Sequence, residues 1–297
     1  MKRVLCVFLS LCLCLALCLT LTGCMSDEER QSRKEALNVL SGRNSQSYAL
    51  STGTTLDNQT LYDDGSIIIQ LAGITGTPEA PELRLAVRNG TRSTINLSVD
   101  YLVINGWEVD GWLDLYDIGP RTVTMGSIQS SGDLTMCNVT DVVTVDLGFE
   151  IYDDNYDTVA SVSSSMLTNS LEQVDPNAVP QGITLLEEDG VIIRAVGLNS
   201  GANGTALSLC VQNDTGRTLT LNTAQARCNG EPVELWFYDR VNPGCKRMVT
   251  EYIYHEDTYD TFSMEDTDEL TFQMDIQDWD TGITLHQAGV ELTPGDF

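Results

Sequence analysis

Beyond residue 58 the apolar positions of this chain recur every second residue. Leu83, Leu85 and Val87 are interleaved with Arg84, Ala86 and Arg88, and Ile95, Leu97, Val99 and Tyr101 alternate with mostly polar neighbours. A period of two marks strands with one buried face. Asn-Gly pairs punctuate the runs at 89–90, 105–106, 203–204 and 229–230, and those before Trp107 and Glu231 lie between apolar stretches, which predicts tight hairpins. No helical period of useful length occurs in this part of the chain. Ahead of it, Ser26 followed by Asp27, Glu28 and Glu29 has the form of a capping box, and Ala36, Leu37, Val39 and Leu40 make a short apolar stripe before Gly42. That predicts one short helix. From 43 to 58 the residues are mostly Ser, Thr, Asn, Gln and Gly with little to bury, the composition of a flexible spacer.

The strand pattern is duplicated. The segment 61–69 (LYDDGSIII) returns as 186–194 (LEEDGVIIR) at an offset of 125, and 82–89 (ELRLAVRN) as 206–213 (ALSLCVQN) at 124. Asn105-Gly106 matches Asn229-Gly230, Trp112 matches Trp236, Gly119-Pro120 faces Pro243-Gly244, and 149–158 pairs with 272–281 at 123. Landmarks at a nearly constant offset indicate a tandem duplication, and two copies of this length are beads rather than a solenoid. Several short strands per copy, with a Trp at the same place in both, predict an all-β chain of two tandem immunoglobulin-like β-sandwich domains. The expected boundaries are 59–170 and 183–297, with Trp112 and Trp236 packed between the sheets. A linker at 171–182, containing Pro176 and Pro180, should limit the angle between the units without fixing it.

The start of the chain has a different character. Lys2 and Arg3 precede an uncharged apolar stretch at 4–21, and Leu21-Thr22-Gly23-Cys24 resembles the lipobox of bacterial lipoprotein signal peptides. That resemblance implies a signal peptide over 1–23, diacylglyceryl attachment at Cys24 and a tether over 24–58 made of the short helix and the spacer. A single chain holds only marginally, so two or three acyl chains on one residue make a durable anchor. An uncleaved membrane-spanning helix is the alternative, and it also leaves the remainder outside the membrane. The repeated Asp-Gly turn before Ile or Val (Asp64-Gly65, Asp189-Gly190), the strands ending in Asn89 and Asn213, the Asn-Gly hairpins and the closing Tyr156-Asp157-Thr158 and Trp279-Asp280-Thr281 add a second likeness. Over 59–294 the chain resembles lipoproteins of Gram-positive, chiefly clostridial, gut bacteria that carry tandem immunoglobulin-like domains. This implies architecture and export, with no activity to carry over.

Charge narrows the partners. Among 297 residues, 16 Lys and Arg stand against 43 Asp and Glu, a formal charge of -27. No nucleic-acid binder of the usual basic kind is built this way, because such proteins need cations to replace the counterions of a phosphate backbone. With 42% hydrophobic residues and 24 Gly against 8 Pro, the acidity belongs to folded units rather than to a disordered polyanion. The six Asn-x-Ser/Thr sequons at Asn58, Asn89, Asn96, Asn138, Asn203 and Asn213 read as turn and strand composition in a bacterial export context.

Candidate chemistry is sparse. Only His255 and His286 occur, neither near a nucleophile motif, so multi-His zinc sites and Ser-His-Asp systems are disfavoured and no enzyme activity is expected. Cys137, Cys210, Cys228 and Cys245 occupy no matching positions in the two copies, so no repeated sandwich disulfide is expected, although a Cys228–Cys245 bridge stays open. Asp153, Asn155 and Asp157 in the first copy and Asp278 and Asp280 in the second alternate oxygen ligands as a calcium loop does. The competing explanation is a turn held by Asp side chains on backbone N–H groups. Trp107, Trp112 and Tyr116, and Trp236, Phe237 and Tyr238, cluster after the hairpins and could form ligand platforms, with Trp107 and Tyr116 the candidate ligand-binding residues and Trp107 the candidate for exposure. The expectation is a non-enzymatic, lipid-anchored cell-surface protein facing outward, its two sandwiches serving protein interaction or adhesion. A carbohydrate-binding, calcium-assisted module and a passive envelope or accessory subunit are the alternatives. Its partners would be the membrane, through the lipid, and a surface protein or glycan, with no nucleic acid.

Overall fold

A computed structural model describes residues 25–43, 47–131, 134–175, 178–201, 204–256, 260–261 and 268–297. Cys24 and the apolar segment at 4–21 lie outside them, and no helix among the described residues is long and apolar enough to cross a membrane. The fold is all-β, and among the described residues there is one α-helix, α1 (Asp27–Leu40). The first copy holds β1 (Gln59–Asp63), β2 (Ile67–Thr77), β3 (Ala80–Asn89), β4 (Ile95–Ile104), β5 (Trp107–Leu113), β6 (Thr122–Ser131), β7 (Thr144–Asp153) and β8 (Thr158–Leu167). The second holds β9 (Ile183–Glu188), β10 (Val191–Gly201), β11 (Gly204–Asn213), β12 (Leu219–Cys228), β13 (Glu231–Glu234), β14 (Arg240–Val241), β15 (Cys245–Tyr252), β16 (Tyr254–His255), β17 (Leu270–Asp278) and β18 (Thr284–Leu292).

Pairing follows the duplication. In the first copy β1-β2-β3-β6 form one antiparallel layer and β5-β4-β7-β8 the other; in the second, β9-β10-β11-β15 face β13-β12-β17-β18. Each copy encloses its own apolar core, built on Ile69, Leu85, Ile104, Leu147 and Phe149 in the first and on Ile193, Leu209, Leu221, Phe272 and Met274 in the second. The alternation thus reads out directly as inward and outward faces.

The turns repeat to the atom. Both hairpin turns place Asn and Gly in the left-handed region (Asn105 φ 53°, Gly106 φ 80°; Asn229 φ 52°, Gly230 φ 83°), the two-residue turn that suits the strand twist. Asn89 Nδ2 donates to Ser93 O and Ile118 O, both at 2.8 Å, while its Oδ1 accepts from Thr91 N and Oγ1 at 3.0 and 2.6 Å. Asn213 does the same with Arg217 O, Val241 O and Thr215. These Asn-x-Thr triplets are buried turn locks: each amide satisfies loop carbonyls that the strands cannot reach.

Two expectations are corrected here. The segment at 47–58 is no loose spacer, since Tyr48, Leu50, Thr54 and Leu56 are buried, and Thr52 and Thr54 donate to Asp141 at 2.9 and 2.6 Å. Its few apolar residues sufficed because they fall against an existing sheet. The helix docks as well. Capped by Ser26 and Glu29, it lays Ala36 and Val39 with Tyr48 on the outer face of the first layer, over Ala72, Ala86 and Met125.

That outer patch has a twin. Ala86 pairs with Met125 as Cys210 pairs with Met248, and Ala72 and Val196 occupy bulges at matching points of β2 and β10. Helix α1 covers the first patch. The first copy itself covers the second, where Cys210, Val196 and Met248 pack against the first core. Each sheet is therefore closed by the segment that precedes it in the chain.

Candidate functional site

The joint between the copies begins at the Asn105-Gly106 hairpin. Gly106 O accepts from Lys246 N at 2.9 Å, bringing β5 and β15 together in parallel at Trp107 and Lys246. Lys246 lies 4.7 Å from the Trp107 ring centroid and donates to Ala178 O at 3.0 Å, a cation–π contact sealed from water. Glu108 accepts from Asn242 N and Nδ2 at 2.8 and 2.9 Å, and Arg247 bridges Asp110 (2.7 Å) to Asp239 (2.6 Å). Burial pushes the Glu108 carboxyl above its usual range, against the Asn242 hydrogen bond and the nearby guanidinium groups. Both linking basic residues come from positions where the first copy has Val123 and Thr124, so a mismatch between matched repeats was the one available sequence signal.

Beside this joint opens a cleft of about 580 Å³. The first copy contributes Asp100, Tyr101, Asp146 and Ser165; the second contributes Arg240, Asn242, Cys245, Trp279 and Asp280. A contiguous hollow adds Asp110, Tyr238 and Asp239. The Tyr101 ring lies across Gly148, where any Cβ would meet it at 2.2 Å, and its hydroxyl hydrogen-bonds Ser163 Oγ. Trp279 is held by the Arg240 guanidinium 5.3 Å from its ring centroid. Two aromatic walls, carboxylates and an arginine can grip a polar or cationic chain. Burial, then the charges of Glu108 and Asp146, raises the Cys245 thiol to about 12, which leaves it without nucleophilic character near neutrality.

The predicted site residues are sorted as follows. Trp107 is only 3% exposed, contrary to expectation: it shares the inward face of β4 and β5 with Ile104, and Lys246 covers it. The matched tryptophans are reversed too, with Trp112 59% and Trp236 41% exposed. The neighbours Leu113 and Phe237 take the interior instead. Tyr116 is exposed and meets Trp112 edge-on with centroids 6.3 Å apart; Trp236 stacks on Tyr254 at 6.5 Å.

The acidic loops are turns. Asp153 Oδ1 accepts from Asn155 N and Asp157 N at 2.8 and 3.0 Å, and Asp278 Oδ1 accepts from Asp280 N and Thr281 N at 3.1 and 3.0 Å while its Oδ2 meets Arg217. These hydrogen bonds hold both carboxyls below their ordinary range. Asp153 Oδ1 and both Asp278 oxygens are thus engaged within their own turns, and among the described residues no group of three or more His, Cys, Asp or Glu is arranged for a metal. Cys245 carries a free thiol, so the bridge to Cys228 is not formed. His286 sits 3.3 Å from Glu188, away from the cleft. No protein-family model matches the chain, and neither does any curated protein.

Proposed function

We propose that this is a lipid-anchored protein of the cell surface, attached through Cys24, that binds a partner through the cleft between its two sandwich units and performs no chemistry of its own. The observation that carries this reading is the joint. Lys246, Arg247 and Asn242 hold the copies in one arrangement, and that arrangement opens a walled hollow with Tyr101 on one side and Trp279 on the other. Such preorganised concave sites between units are where ligands collect. The lipobox-like segment and the net charge of -27 support an exported, anionic binder whose partner is cationic or polar.

The test is a photo-crosslinking residue placed at Tyr101 or Trp279 in producing cells. A single adduct common to both positions, lost when Asp146 is replaced by Lys, is the expected result. Recovery of bare protein from both positions would overturn the cleft as the binding site. A second reading, carbohydrate binding, is favoured by the exposed Trp112–Tyr116 pair. Glycan-array binding abolished by Trp112→Ala but untouched by Trp279→Ala would select it.

A further inference from the structure

Strand β8 lies at the edge of its layer, paired to β7 alone among the described strands. Its sequence, TVASVSSSML, contains neither charge nor proline. Among the described strands every other edge carries a titratable group: Asp63 on β1, Glu187 and Glu188 on β9, Arg240 on β14, His286 and Glu291 on β18, His255 on β16. Edges are normally blunted by charge, proline or extreme shortness, and β8 has none of these along ten residues. Among the described residues its C-terminal end is covered, where Leu56 bridges Thr168 and Asn169 N donates to Thr55 O, and β1 approaches it without pairing.

The face beside this edge is shaped for one class of side chain. Ser161, Ser163 and Ser165 point outward in register with Glu150, Gly148 and Asp146 on β7. Strands β4, β7 and β8 together carry no Lys, Arg or His. A strand added to β8 would lie about 4.8 Å from it and twice that from β7, a span that Lys or Arg crosses and shorter side chains do not. Tyr101 fills the middle of that path, from Gly148 to Ser163, so the way in runs over Ser165 to Asp146 and over Ser161, whose hydroxyl donates to Glu150 at 3.2 Å. Asp146 and Ser165 also line the cleft, so the edge runs into the site already described.

We infer that β8 accepts, as an added antiparallel strand, an extended partner peptide with Lys or Arg at alternate positions, its backbone pairing with β8 and its cations reaching Asp146 and Glu150. This rests on the reading of the chain as a surface binding protein. The peptide mode is strand addition, in which main-chain bonds supply affinity and alternate side chains supply specificity.

The test uses the full chain in mild detergent and a fluorescein-labelled octapeptide alternating Lys and Val, read by anisotropy, with the Glu-Val peptide as comparison. The expected result is binding of the Lys peptide alone, weakened several-fold between about 0.05 and 0.5 M salt. Asp146→Asn with Glu150→Gln should weaken it about five- to tenfold. Ser161→Lys with Ser165→Lys should abolish it, and hydrogen exchange should show the β8 amides protected by the peptide. Equal binding of both peptides, binding unchanged in the serine variant, or β8 protection that tracks protein concentration rather than peptide would each overturn the inference, the last by assigning the edge to a second copy. These outcomes are independent of the cellular cross-link, so failure here leaves the cleft reading to its own test.

Discussion

Glu251 ties the stability of the second copy to pH. Its register partner is Leu207, which is fully buried, so its carboxyl shares the inward face of β15. Burial, and secondarily the charge of Asp239, raises it from 4.5 to about 7. Between those values the folded chain keeps a proton that the unfolded chain has lost, so stability is greatest below about pH 4.5 for this group and falls as pH rises through 7. Asp64, Asp141, Asp153 and Asp278 act oppositely: hydrogen bonds hold them below the ordinary 3.8, and their stabilisation is lost in acid. Wild-type protein should therefore lose thermal midpoint from pH 5 to 8, while Glu251→Gln flattens that slope and ends ~2–4 °C higher at pH 8. Parallel curves for the two proteins would refute this role. Such a carboxyl was invisible in the sequence, where Glu251 is one acid among 43. The Asn89 and Asn213 turn locks were visible only as strand ends, because a sequon does not say whether its amide faces water or a carbonyl.

At the scale of elements the alternation was a sound guide and the tether was not. Period-two runs and Asn-Gly pairs place strands and hairpins because both signals are local. Docking of α1 depends instead on a patch made by three strands distant in sequence, Ala72, Ala86 and Met125, which no local pattern around Ala36 announces. The expectation for Trp112 failed for a related reason: β5 changes partner from β4 to β6 along its length, so which of two adjacent apolar residues turns inward is decided by the neighbouring sheet, whereas Trp236 lies past the end of β13, where the alternation no longer holds. The docking is testable through Val39, which is buried against that patch. Val39→Asp places a carboxylate there and should cost on the order of 3 kcal/mol, enough to release the helix. Amides of α1 should then exchange rapidly and an apolar dye should bind, with the second core unaffected. Unchanged protection across 27–40 would mean that the helix is held elsewhere.

The whole molecule turns on the joint, where three kinds of contact beside the Asn242–Glu108 hydrogen bonds respond differently to perturbation. Cys210, Val196 and Met248 bring apolar area, Lys246 a buried cation–π contact, and Arg247 the link between Asp110 and Asp239. Removing Arg247 leaves Asp110, Asp239 and Glu108 close together without their main countercharge, so the loss exceeds a single ion pair and becomes repulsion. Lys246→Ala with Arg247→Ala should therefore separate the copies while leaving each core intact. Circular dichroism would stay native, small-angle scattering would give a larger radius of gyration, and a single thermal transition would split into two. Added salt should restore part of the compact form in the variant, because it screens the three carboxylates, yet leave the wild type unchanged, because Arg247 is already shielded from solvent. Superimposable scattering curves at low salt would show that the apolar patch and the Asn242–Glu108 hydrogen bonds suffice to hold the copies. The cleft, and any partner that needs both its walls, would then be independent of charge at the joint.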